Sequence, residues 1–147
     1  MRDGSTPRQR IAAGLLVACG VALVGIGLYF VVLRPPLLPE DVGYMGTSVP
    51  DVERAVPGLA NWLQKVFWVL GGYVASTGLF TVYLAAASLR TGRVPVAVFA
   101  LTGLTSIGWM ALVNFVIASD SRWPLLGLAV LWGGALALAL SGSRKAH

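Results

Sequence analysis

The sequence has 147 residues, of which 56% are apolar and 12% charged, with a net charge of +5 and a mean hydropathy of +0.77. Soluble domains carry roughly 25% charged residues, so this chain has too little charge to cover a water-facing surface, and its long apolar blocks point to lipid as the solvent. The basic residues sit at the ends of those blocks and form no stripe, which excludes nucleic acid as a partner.

In chain order, the first element is a basic tail with Arg2, Arg8 and Arg10. An apolar block over residues 11–33 follows, long enough for a membrane span, which takes about 20 residues. Leu16-Val17-Ala18-Cys19 within it has the form of a lipobox. However, residues 20–33 stay apolar, and the block exceeds the roughly 7–15 residues of a signal h-region. Cys19 is therefore expected to be a retained, buried thiol. As the single cysteine it excludes both an intramolecular disulfide and thiol–disulfide exchange. The single histidine, His147, excludes haem ligation between helices.

Residues 34–61 form the longest connection. Pro35-Pro36 stops the first helix, and Pro39-Glu40-Asp41 and Gly43-Tyr44-Met45-Gly46 read as turns. Ser48-Val49-Pro50-Asp51 reads as a helix start and Pro57-Gly58 as its end. Val49, Val52 and Val56 recur at helical spacing, so this short helix is expected to dock across the mouth of the bundle, with Tyr44 and Met45 beneath it. Glu40, Asp41 and Tyr44 are the candidate interaction site of the loop. Four acids here, with Asp51 and Glu53, lack any EF-hand spacing and read as solvation and capping. The run Leu38-Pro39-Glu40-Asp41 followed by Tyr44-Met45-Gly46 resembles a loop motif of a family of uncharacterised bacterial four-span membrane proteins. That resemblance covers only this short run and implies no activity.

Three further apolar blocks span 66–89, 94–119 and 123–141, and none contains a charged residue. Backbone groups in lipid must bond internally, so each block is expected to be helical. In the second, Tyr73, Thr77 and Thr81 fall on one face. In the third, Thr102, Thr105, Ser106 and Trp109 form a looser polar cluster, and Asn114 is expected to bond a neighbouring helix. Tyr73, Thr77, Thr81, Thr102, Ser106 and Asn114 form the candidate intramembrane polar face. Its bland reading is packing, because Ser and Thr bond their own helix. Small residues recur every four positions at Gly14, Ala18 and Ala22, at Gly71 and Ala75, and at Gly133, Ala137 and Ser141. Such faces let helices approach closely, within the bundle or in a homo-oligomer.

The predicted fold is all-α: one domain over 1–147, a four-transmembrane-helix bundle with a short helix-containing extracytoplasmic loop. Arg2, Arg8, Arg10, Arg90, Arg93, Arg144 and Lys145 fall on one side. Positive charge stays inside, so both termini are expected in the cytoplasm of a cell membrane. Trp62 and Trp123 suit the outer interface.

The lack of ionisable residues within the spans excludes proton-coupled pumps and four-span multidrug exporters, which need an ionisable group at membrane depth. No catalytic residue, cofactor or metal is expected. The expected function is non-enzymatic, through packing, membrane lipids, copies of itself or a membrane-protein partner. A second reading is a transporter or channel component for an uncharged or lipidic solute. A third, an interfacial enzyme using Glu40 and Asp41, lacks a histidine or cysteine to act with them.

Overall fold

The structure, a computed structural model, describes residues 6–91 and 93–143. The tail residues Arg2, Arg144, Lys145 and His147 lie outside them. All regular structure among the described residues is helical: α1 (Pro7–Val32), α2 (Pro39–Met45), α3 (Val49–Ala55), α4 (Leu59–Thr91), α5 (Val96–Gly103), a π-helical turn (Leu104–Gly108), α6 (Trp109–Val116) and α7 (Arg122–Ser143). Four helices are long and apolar enough to cross a membrane: α1, α4, the α5–π–α6 unit and α7.

Helices α1, α4 and α7 begin before their apolar blocks, because a charged residue bounds an apolar block without ending a helix. Thr6 caps α1 by accepting from the Gln9 N–H at 3.4 Å, and Gln9 Oε1 accepts from the Thr6 N–H at 3.2 Å, with Pro7 in the first turn. The helix therefore starts before the first apolar residues. Helix α4 has 33 residues, about 50 Å at 1.5 Å rise, against a hydrocarbon core of roughly 30 Å. Its extra first turns carry Trp62 and Lys65, and Lys65 Nζ lies 3.6 Å from the Trp68 ring centroid.

Helix α1 packs along α4 on one side and α7 on the other, and α7 packs against the α5–π–α6 unit. The α1–α4 crossing is backbone on backbone. A Cβ on Gly27 would lie 2.5 Å from Ala75 N and 2.6 Å from Gly71 O, and one on Gly78 would lie 2.6 Å from Gly20 O. The glycines that meet are thus spaced by seven, Gly20 and Gly27 against Gly71 and Gly78. The four-residue stripes are only partly used. Gly71 and Ala75 meet α1, while Gly14, Ala18, Gly133 and Ala137 are exposed on the outside of the bundle.

The core joins Leu16, Cys19 and Leu23 of α1 to Ala85, Phe99, Ile107, Trp132 and Ala135. Buried Trp132 donates its indole N–H to the Phe99 carbonyl at 2.9 Å, and Gly103 leaves the room for its ring. The π-helical turn follows directly, marked by the Trp109 N–H bonded to Leu104 O.

The third membrane-length helix ends at Val116, short of residue 119. Ala118 takes a left-handed conformation, φ 54°, and the Ser119 N–H returns to Asn114 O at 3.0 Å. This is a Schellman turn with alanine where glycine is usual. Ala118→Gly is expected to stabilise the protein by about 1 kcal/mol, the lower end of the left-handed penalty, read as a raised thermal midpoint in detergent.

Helix α3 forms where its cap places it, with Ser48 Oγ accepting from the Asp51 N–H. It does not close the bundle. None of its residues is buried, its main packing partner is α4, and Val56 just past its end is 51% exposed. Tyr44 and Met45 are exposed rather than tucked beneath it. Three valines offer too little apolar area to hold the helix down. The covering element is α2.

Candidate functional site

Residues 39–45, read from sequence as turns, form a helix because the acceptor for its start comes from inside it. Leu38 at the N-cap has no polar side chain. Instead Asp41 Oδ2 reaches back to accept the Leu38 N–H at 2.9 Å, and Pro39 fits the first turn. Gly46, φ 68°, closes the far end, with the Thr47 N–H bonded to Val42 O.

Two side-chain bonds hold α2 across one end of the bundle. Arg34, just past the end of α1, donates from Nη2 to Asp41 Oδ2 at 3.0 Å and from Nη1 to Pro35 O at 3.0 Å. Its guanidinium lies 3.6 Å from the Phe67 ring centroid of α4, and only 9% of the residue is exposed. On the other side Ser119 Oγ donates to Glu40 Oε1 at 3.1 Å. The Ala118 turn is what brings Ser119 back toward α2.

Beneath α2 lies a cleft of about 510 Å³ between α1, α6 and α7. This is within the roughly 300–1,000 Å³ of ligand pockets. Its mouth is polar, with Arg34, Glu40, Asp41, Asn114, Ser119 and Ser121. Its walls are apolar, from Ala22, Ile26 and Phe30 of α1, Met110 of α6, and Leu128 and Leu131 of α7. Ala22 to Phe30 covers about 12 Å along α1 and Pro124 to Leu131 about 10 Å along α7, at 1.5 Å per residue.

Of the loop candidates, Glu40 and Asp41 both line this cleft. Tyr44 lies on another side of α2, beside a separate apolar hollow with Leu63 and Phe67. The polar-face candidates divide. Asn114 joins the cleft, and its amide donates to Met110 O of its own helix at 2.9 Å rather than to a neighbour. Thr77, Thr81 and Thr102 meet in a groove between α4 and α5. Their region is bonded locally: Thr77 donates to Tyr73 O, Thr81 to Thr77 O and Ser106 to Thr102 O. Tyr73 is 69% exposed and does not line that groove; it borders a shallow surface hollow with Val66, Val69 and Leu70.

Sequence reading missed Arg34 and Ser119. Arg34 was legible only as a flanking charge, although an arginine placed directly before Pro35-Pro36 on the less basic side is an available signal. Ser119 carries none, because its position depends on the conformation of Ala118. Among the described residues, no group of three or more His, Cys, Asp and Glu could hold a metal. The fold and cleft define a class, a four-helix bundle of membrane-spanning length with an amphipathic hollow at one end. Comparison with family models, curated proteins and solved structures gave no match.

Proposed function

We propose that this chain is a multi-pass cell-membrane protein, bacterial as the loop motif suggests, whose cleft binds one amphipathic lipid without chemistry. The observation that carries this reading is the cleft's shape: a polar mouth over apolar walls about 10–12 Å deep. Half of a roughly 30 Å hydrocarbon core is about 15 Å, so the walls match the acyl region of a single leaflet. With both termini cytoplasmic, that leaflet is the outer one. Trp62 and Trp123, each 62% exposed at the α2–α3 end, suit its interface. The transporter reading has less support, because the cleft and the Thr77–Thr81–Thr102 groove share no lining residue.

Two measurements test the proposal. Reporter fusions at His147 and within residues 90–93 are expected to read cytoplasmic, and fusions at Thr47 external; an external C-terminus overturns the orientation. Native mass spectrometry of the protein released from membranes is expected to show one retained lipid. Ile26→Trp, which fills the apolar wall, is expected to lower its occupancy about tenfold, equivalent to about 1.4 kcal/mol. Unchanged lipid retention in a folded Ile26→Trp protein overturns the cleft as the site.

A further inference from the structure

We infer that the cleft selects a lipid whose head bears a primary ammonium, with the Glu40 carboxylate as its counter-charge. The inference rests on the reading of the cleft as a lipid site and adds the chemistry of the head.

The charges at the mouth do not cancel. Arg34 and Asp41 form a closed pair at 3.0 Å, with the guanidinium covered by Phe67. Glu40 faces the same cleft, and its carboxylate accepts a hydrogen bond from the neutral hydroxyl of Ser119. The ion pairs among the described residues are Arg34–Asp41 and Arg54–Asp51, so none of the described cations pairs with Glu40. Asp120 and Arg122 flank the nearby turn with one charge of each sign, and neither lines the cleft. The mouth therefore carries one uncompensated negative charge.

That charge discriminates among heads. An anionic phosphatidylglycerol head brings like charge toward Glu40, which disfavours it where screening by water is reduced. A primary ammonium brings three N–H donors to an acceptor-only carboxylate. A quaternary choline ammonium has no donors and is recognised by aromatic cages. Here Phe30, which also lies 5.5 Å from the Arg34 guanidinium, and half-exposed Tyr29 are the aromatic groups that line the cleft. A phosphodiester next to the ammonium finds hydrogen-bond donors at the same mouth, in the second amide N–H of Asn114 and the hydroxyl of Ser121. The apolar walls commit the occupant to a lipid rather than a soluble amine.

The test uses the full chain in detergent, titrated by native mass spectrometry with phosphatidylethanolamine, phosphatidylglycerol and phosphatidylcholine of identical acyl chains. The wild type is expected to bind phosphatidylethanolamine at least about tenfold more tightly than either competitor, about 1.4 kcal/mol. Glu40→Gln, which keeps shape and loses charge, is expected to bring the three within about threefold of one another, and Glu40→Asp to keep part of the preference. Equal affinities in the wild type overturn the inference. If Ile26→Trp still lowers lipid occupancy about tenfold in that case, the lipid site itself stands, which separates the two failures. Soluble phosphoethanolamine binding as tightly as the lipid would overturn the lipid as occupant. The wild-type comparison needs no variant, so a misfolded Glu40→Gln protein leaves the proposal open to refutation.

Discussion

Gly27→Leu is expected to separate α1 from α4 and leave little folded protein in detergent. The obstacle is backbone, not side chain. The first added carbon alone would stand 2.5 Å from Ala75 N and 2.6 Å from Gly71 O, and no rotamer relieves either contact. Extra methylenes in a packed core cost about 1–3 kcal/mol and occasionally more. This site belongs above that range, because α1 must move away along the whole crossing. In lipid there is no hydrophobic drive to restore the contact, since helices associate through close packing and hydrogen bonds. The same substitution at Gly14 or Gly25, where a Cβ meets nothing within 4 Å, is expected to change stability by about 0.5 kcal/mol or less. Unfolding in a graded denaturing detergent reads both. Equal losses at Gly27 and Gly14 would refute the glycine crossing.

The two glycine positions show what was legible in the sequence and what was not. The four apolar blocks mark their helices because length and absence of charge report the solvent directly. They say nothing about rotation around each helix axis, since residues facing lipid and residues facing protein are equally apolar. Hence the four-residue spacing pointed to Gly14 and Ala18, whereas the crossing uses Gly20 and Gly27. The short helix α3 was readable from Ser48, a cap acting on its own following residues. Helix α2 was not, since its N-cap is Leu38 and the acceptor comes from Asp41, a residue that also answers to Arg34. Glu40 and Asp41 could be singled out as acids in an apolar chain. Their opposite situations, one paired with a cation and one bonded to a hydroxyl, depend on Arg34 and Ser119, contacts that only the fold creates. The threonines likewise gave a face but not its use, because the hydroxyl protons of Thr77 and Thr81 serve carbonyls within their own helix.

Arg34→Ala is expected to release α2 and destabilise the protein by about 3 kcal/mol, the low end of the 3–5 kcal/mol for breaking a buried ion pair. The low end applies because Asp41 keeps about a fifth of its side chain exposed and retains the Leu38 N–H. Part of the loss is the stacking on Phe67, where a cation over an aromatic ring contributes roughly 0.5–2 kcal/mol. Arg34→Lys keeps the charge but not the planar fork that serves Asp41 and Pro35 O together, so it is expected to recover only part. A double-mutant cycle separates pairing from packing. Asp41→Ala also removes the N-cap acceptor of α2, so it is costly alone. In the Arg34→Ala background it should cost less by about 1–2 kcal/mol, within the range for residues in contact. Proteolysis between residues 35 and 46 gives a local readout: slow in the wild type, fast in Arg34→Ala, intermediate in Arg34→Lys. Additive costs in the cycle, with no change in cleavage, would show that Arg34 only fills space beside Phe67 and that α2 is held over the cleft by Ser119 and Glu40 alone.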